Sequence, residues 1–255
     1  MSMTDWWTGF WSGLASGGVL VGFTTAITWL WSHFRSRRPL NRLLDPFAKK
    51  GEHCVIVLPK LPLQLDKEYP FEKEIRGKKT PLHRTGDLMT TYDSIAVSWI
   101  HAILSLAGKK VEEVEVKQDE AFGEGELNVN LICIGAWSNR ITMAAIEKSP
   151  YFKFGEDGKG GYISSQKIGK CYYDYENHRS YGILLKLRNV FQNKAAILVA
   201  GLSPDATTAA AYYLWSNRED LAKKYSTSSF GILVKIDTDL GYSSAEPIEE
   251  WSPRE

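Results

Sequence analysis

The chain has 255 residues, enough for one large domain or two small ones with a real core. Hydrophobic residues make up 44% and charged residues 24%, which excludes a disordered chain and a polytopic membrane protein. The formal net charge of +1 is unevenly spread: Arg35, Arg37, Arg38, Arg42, Lys49 and Lys50 against Asp5 and Asp45 leave residues 1–50 at +4 and the remainder at −3. A body with that balance lacks the clustered Lys and Arg that general nucleic-acid binding requires. Cys54, Cys133 and Cys171 form no CxxC pair and are odd in number, so the pattern points to a reduced compartment and away from a zinc site.

Residues from Trp6 to Ser32 carry no formal charge. As a helix this stretch reaches ~40 Å, enough for a bilayer core of roughly 30 Å. Trp6, Trp7 and Trp11 lie near one end and Trp29 and Trp31 near the other, the places that two membrane–water interfaces select. The pattern predicts a transmembrane helix over 6–34. Arg35, Arg37 and Arg38 follow it, and the N-terminal flank has only Asp5. The positive-inside bias therefore predicts a single-pass protein of the cell inner membrane, N-terminus outside and the rest cytoplasmic. A cleaved signal peptide needs a positive n-region, which is missing, and a terminal core helix seldom carries aromatic clusters at both ends. Gly9, Gly13 and Gly17 repeat at i, i+4, i+8, so the helix is expected to form homo-oligomers through a small-residue face.

Residues 35–51, with Pro39 and Pro46, read as a basic juxtamembrane linker. An α/β domain is expected over 52–240. His53–Leu58 is the first strand; residues 59–90, rich in proline and charge, read as a loop or surface insertion. A helix follows, with Asp93 or Ser94 as cap and Ile95, Trp99, Ile103 and Leu106 as apolar face. Val111–Val116 alternates Val and Glu, as an edge strand does, and 118–127 reads as an acidic loop. Val129–Ile134 has no room for a solvated face, which suits an interior parallel strand. A helix is expected from Arg140 to Lys148. Residues 151–180, with Tyr151, Tyr162, Tyr172, Tyr173 and Tyr175, read as a hairpin or flap that could close over a site. Tyr181–Leu187 and Ala195–Ala200 are further strands. The helix Thr208–Trp215, a helical turn over Asn217–Lys224 and a last strand Phe230–Ile236 complete the domain. The tail 241–255 is acidic and expected to be loose. Alternating strands and helices argue a mostly parallel, Rossmann-like sheet with the flap as an insertion.

Ligands of open parallel sheets bind beyond the carboxyl ends of the strands. Two turns there stand out: Gly135, Ala136, Trp137, Ser138 and Asn139; and Gly201, Ser203, Pro204, Asp205, Thr207 and Thr208. Each ends a buried strand in glycine and opens a helix with small polar residues, a combination that lets an anion approach backbone N–H groups. The same residues are also ordinary caps. Neither turn is a dinucleotide fingerprint or an NTPase loop. Trp137 could stack on a base or equally pack on the sheet, and Arg188 could reach the same edge or stand solvated at its strand end. The five histidines have no HExxH or HxH spacing, no GxSxG elbow is present, and no residue must be catalytic. No cofactor or metal is implied.

The runs NLICIGAWSNRIT (130–142) and YGILLKLRN…AAILVAGLSPDATTAAAYYL (181–214) resemble a Rossmann-like module of bacterial signalling and antiviral defence proteins. In that group a membrane helix is joined to a small nucleotide-sensing domain. The resemblance implies a membrane-anchored effector that binds a small anionic molecule, such as a nucleotide signal, and couples it to assembly of the helices. A membrane-tethered enzyme acting on a nucleotide or sugar, and a ligand-free adaptor, are the alternatives. The missing catalytic cluster weighs against the first of these and the glycine-lined helix against the second.

The helix face is open to test. Gly13→Leu would fill the groove and separate two helices packed through it, so crosslinked oligomers of the full-length protein in membranes should fall in this variant. Equal oligomer populations in both proteins would reduce the glycine repeat to ordinary transmembrane composition.

Overall fold

The computed structural model describes residues 37–60, 72–75, 78–81, 91–123, 127–174 and 178–253. The segment expected to cross the membrane, including Gly9, Gly13 and Gly17, lies outside the described residues. Among the described residues no helix is long and apolar enough to cross a membrane.

Seven strands build one sheet. They are β1 (Cys54–Leu58), β4 (Val114–Gln118), β5 (Asn130–Ile134), β9 (Arg179–Phe191), β10 (Lys194–Gly201), β11 (Phe230–Asp237) and β12 (Glu246–Trp251), in the order β12-β11-β9-β10-β5-β1-β4. The ladders β4–β1, β1–β5 and β5–β10 are parallel. Those of β10–β9, β9–β11 and β11–β12 are antiparallel. Five strands thus share one direction, and β9 and β12 oppose them. The sheet is a mixed α/β one, with a parallel half and an antiparallel half. The antiparallel half begins at a tight turn: Gln192 and Asn193 both have positive φ, +44° and +64°, and hand β9 directly to β10. Such a left-handed pair closes a hairpin, whereas a parallel return needs a crossover of a dozen residues or more.

The buried strands explain themselves by alternation. Cys54, Ile56 and Leu58 of β1, Ile132 and Ile134 of β5, and Ile197 and Val199 of β10 face one layer. That layer holds α1 (Thr91–Leu106), α3 (Pro204–Ser216) and α4 (Arg218–Tyr225). Val55, Val57, Leu131, Cys133, Ala196 and Leu198 face the other. There lie α2 (Arg140–Ile146) and a three-stranded antiparallel sheet of β6 (Phe152–Asp157), β7 (Gly160–Ser165) and β8 (Cys171–Tyr173). Both faces are covered, so these strands need be apolar throughout. The small sheet is the flap expected from the sequence, with one strand more. β2 (Glu72–Ile75) and β3 (Lys78–Pro81) pair with each other in a separate antiparallel ladder.

Four expectations are corrected. Residues 37–51 are not a free linker: 37–43 is helical, and Leu40, Leu43, Leu44 and Phe47 are buried among α1, α3 and the sheet. Of the basic residues that suggest a linker, Arg38, Arg42, Lys49 and Lys50 are exposed, whereas the Arg37 Nε is buried. The tail is not loose either, since β12 adds to the sheet edge. Glu249 accepts a hydrogen bond from the Tyr172 hydroxyl, Glu250 accepts one from the Tyr225 hydroxyl, and the Lys167 ammonium sits 3.7 Å from the Trp251 ring centre. The buried stripe of α1 is Ala96, Ile100, Ile103 and Leu104. It lies one position on from the expected stripe, and Leu106 is left 45% exposed. Trp99 instead packs sideways on Trp215, ring centres 4.5 Å apart. Finally, Val111–Glu113 is a 3-10 turn, and the edge strand starts at Val114.

Besides Asp93, Lys109 and Asp119, a further charged side chain is buried within the sheet itself. Lys186, in the middle of β9, is 0% exposed, and its ammonium donates to the carbonyl of Leu43 at 2.6 Å, Thr227 at 3.4 Å and Ser226 at 3.5 Å. Burial, with the nearby Arg188 charge, pushes its pKa down to about 8; Asp45 opposes the shift. The unfolded chain holds this proton up to about 10.4. Between about 8 and 10.4 the unfolded state therefore binds more protons, and this group makes the fold more stable as pH rises. Lys186→Met should remove that contribution. Urea unfolding of both proteins across this window should show a wild-type stability that climbs relative to the variant; parallel curves would refute the assignment.

Candidate functional site

A cavity of ≈ 500 Å³ opens at the carboxyl edge of the parallel strands. Its walls come from the ends of β1, β5 and β10, the start of α1 and the flap. Of the residues expected at a site, Gly135, Trp137, Ser138, Gly201, Ser203 and Thr207 line it together. The sequence order explains why. β1 connects through α1 to β4 on one side, while β5 and β10 stack on the other side, so the connections leave in opposite directions and open a crevice.

Each residue has a definite local job. Gly135 ends β5 at φ +94°, a conformation that side-chain-bearing residues rarely adopt, and its N–H donates to Val199 at 3.0 Å. Asn139 is fully buried and caps α2. Its carbonyl oxygen accepts from the N–H groups of Ile141 and Thr142, both at 3.1 Å, and its NH₂ donates to Val57 and Ile134. With both donors and the acceptor engaged inside the protein, Asn139 ties two strand ends to the helix and has nothing to offer a ligand. The first N–H of α2, on Arg140, donates to the Asp119 carboxylate at 2.9 Å.

The second turn is equally self-contained. The Ser203 hydroxyl accepts from Ala206 N–H at 3.2 Å and bonds to the Ser180 hydroxyl at 2.8 Å. Ser180 in turn donates to the Asp174 carboxylate, which reaches the cavity wall. Thr207 donates to the Ser203 carbonyl at 3.3 Å. Thr208 is fully buried and donates to Tyr92 and Pro204 carbonyls, outside the cavity. Gly201 and its cross-strand partner Gly182 lie under the first turn of α3. A methyl group on Gly201 would sit 2.5 Å from Thr207 N and one on Gly182 2.3 Å from Ala206 O. Gly201 is there to seat the helix, a role that Gly182 shares and that the sequence reading did not assign to it. Arg188 is the clear departure. Because β9 runs against β10, its carboxyl end lies at the opposite edge, where the guanidinium meets Asp45 at 3.2 Å. It borders a second, smaller cavity of ≈ 260 Å³ with Glu52 and Lys194.

Among the described residues, one aromatic, three acids and the hydroxyl-bearing Ser138, Ser203 and Thr207 line the main cavity. Trp137 is 39% exposed, backed by Phe154 with ring centres 5.0 Å apart. Gly161 of the flap crosses so close that a methyl there would stand 3.3 Å from the indole. Asp93, Glu156 and Asp174 line the walls, and among the described residues no Lys, Arg, His or Cys does. Asp93 and Asp174 each have partners within the protein. Among the described residues no three His, Cys, Asp or Glu side chains gather as a metal site. Cys54 and Cys133 are buried in the core, and burial pushes both thiols far up, Cys54 to about 12, so neither is a nucleophile near neutral pH. Compared with protein-family models and with curated proteins, the sequence matches none, so the chemistry of the site rests on its geometry.

The glycine seat gives a direct check. Gly201→Ala should force α3 off β10 and cost about 1–3 kcal/mol in urea unfolding, the usual penalty of overpacking. A variant as stable as the parent would show that the helix turn yields freely and that the seat is not tight.

Proposed function

We propose that the chain is a membrane-tethered receptor whose α/β domain takes a small planar molecule bearing hydroxyl or amino groups into the cavity at the sheet's carboxyl edge. The observation that carries this reading is the lining itself: a half-exposed indole beside three carboxylates. Its volume falls in the usual range for small-molecule sites, roughly 300–1,000 Å³. An indole face stacks on planar rings and attracts cations, and carboxylates accept hydrogen bonds from hydroxyl and amino groups. A nucleoside has both features, with its base for Trp137 and its ribose hydroxyls for the acids.

The resemblance to nucleotide-sensing modules implies an anionic ligand, and the lining argues against the phosphate as its recognised part. An anion site needs free backbone N–H groups or cationic side chains. Here the first turn of α2 is tied to Asn139 and Asp119. The first residue of α3, Pro204, has no N–H, and Ala206 N–H is capped by Ser203. A phosphate among Asp93, Glu156 and Asp174 would meet repulsion. The nucleoside end of a nucleotide signal therefore fits better than its phosphate end. An enzyme is the weaker alternative, since among the described residues no histidine, cysteine or lysine stands at the walls to move a proton or attack a bond. The tether is the helix expected over 6–34, and its small-residue face offers a route from ligand to assembly.

A thermal-shift panel on the full-length protein in detergent tests this. The panel holds the common nucleosides, their mono- and triphosphates, inorganic phosphate and a polyamine. The full chain is needed because the core begins right after the expected anchor. A ligand at ~100 times its Kd adds about 2.7 kcal/mol, a shift easily seen. Nucleosides should raise the melting temperature more than their phosphates, and Trp137→Ala should abolish the shift. Stabilisation by inorganic phosphate, or a shift untouched by Trp137→Ala, would overturn the reading.

A further inference from the structure

The geometry points to β9 as a coupling rod between the cavity and the membrane-proximal segment: Ser180 at one end is wired to the cavity wall, and Lys186 and Arg188 towards the other end hold residues 43–45. This rests on the reading of the cavity as a ligand site and adds how occupancy would reach the anchor.

At the cavity end, the Ser180 hydroxyl is fully buried and bridges Asp174 and Ser203, both of them wall residues. A ligand that hydrogen-bonds to Asp174 shares the carboxylate that Ser180 uses and pulls on its orientation. Towards the other end, the Lys186 ammonium holds the Leu43 carbonyl at 2.6 Å and Arg188 holds the Asp45 carboxylate at 3.2 Å. Eight residue steps separate Ser180 from Arg188, roughly 26 Å at about 3.3 Å per residue. Between them Gly182–Lys186 is bonded on both sides, to β10 and to β11, which stiffens the strand against bending. Residues 37–48 receive a shift of the strand because they are packed into the core through Leu40, Leu43, Leu44 and Phe47.

Lys186 also explains why a cation is buried at all. An apolar residue would pack the sheet at least as well, and a buried charge costs stability unless its donors are satisfied. Its three acceptors belong to two different segments, 43 and 226–227, and an ammonium donates to both at once. The residue acts as a tie between separate pieces rather than as core filling.

Coupling can be read without any ligand, because perturbing one end of a linked pair must be felt at the other. The measurement is hydrogen exchange of peptides covering 37–48, in the full-length protein in phosphatidylglycerol-containing nanodiscs. Ser180→Ala cuts the wiring at the cavity end. It should raise exchange in 37–48 by about fivefold or more, the lower end of ordinary coupling between sites, with β5 and β10 unchanged. In a Lys186→Met background the same substitution should add nothing. If Lys186→Met does not fold, Arg188→Gln, on a half-exposed pair, replaces it and should blunt the effect. No change in 37–48 on Ser180→Ala, the same increase in both backgrounds, or an increase spread equally over β5 and β10 would overturn the rod. Failure of the ligand panel leaves this readout standing; a successful panel with no Ser180→Ala effect removes the coupling alone.

Discussion

The ladder between β9 and β10 is the constraint on which both ends of the molecule depend. Two left-handed residues, Gln192 and Asn193, turn the chain back on itself, so β9 enters the sheet against its neighbours. That reversal puts Gly182 opposite Gly201, and the missing side chains let α3 descend onto the sheet where the cavity opens. It also carries Lys186 and Arg188 away from the cavity to the segment beside the expected anchor. A parallel β9 would have put Arg188 at the cavity and left Leu43 and Asp45 without their partners. One turn thereby decides the charge of the site as well as the fastening of its support.

The polar groups at the carboxyl edge show the same economy. Helix starts in α/β sheets offer free N–H groups by default, and that default makes them anion sites. In this chain Asn139, Asp119 and Ser203 fill the role from within, and Pro204 removes one donor outright. Among the described residues the cavity's polar side chains are the three acids, the Trp137 indole and the hydroxyls of Ser138, Ser203 and Thr207. The selectivity proposed for the cavity is accordingly one of stacking and hydroxyl recognition rather than charge capture. The flap contributes through close approach: Gly161 passes the indole with no Cβ, and Gly155 passes Tyr162 in the same way. Side chains at either position would press on the ring beside them.

Much of the sheet was legible in the sequence because its strands are buried on both faces. Runs such as Val129–Ile134 and Ala195–Ala200 have no solvated side, and they mark the interior of the sheet whatever their partners. The two glycine turns were legible for the same reason, since the end of a parallel strand fixes the edge on which its loop falls. Direction was not legible. Nothing in the composition of Tyr181–Leu187 tells a parallel from an antiparallel neighbour, and the deciding residues, Gln192 and Asn193, are not the usual Asn-Gly signal of such a turn. Arg188 was misplaced in consequence. The seat of α1 was ambiguous because Ile95, Trp99 and Ile103 and the neighbouring stripe of Ala96, Ile100 and Leu104 are both apolar. The α3 aromatics Tyr212 and Trp215 decided it by giving Trp99 lateral partners. The role of Leu40, Leu43, Leu44 and Phe47 was hidden by the arginines among them, which charge patterning alone reads as a tether.

That last misreading changes what an anchor can do here. A flexible linker between a membrane helix and a sensing domain passes on little beyond local concentration, because its own freedom absorbs any change at either end. A segment built into the core behaves differently. Residues 37–48 share their buried surface with α1 and α3, so moving them exposes apolar area and breaks the Lys186 and Arg188 contacts together. Interfaces of this packed kind resist small continuous deformation and switch between arrangements instead. A ligand can shift such a switch only by the difference in its affinity for the two arrangements. In the proposed receptor that difference would arise at the cavity wall, where an incoming hydroxyl would share the Asp174 carboxylate with Ser180 and reorient it. A modest preference is enough, since about 1.4 kcal/mol already changes a population ratio tenfold. Whether or not such a switch reaches a membrane helix, it acts on residues 37–48 first, because these are the ones that Lys186 and Arg188 hold.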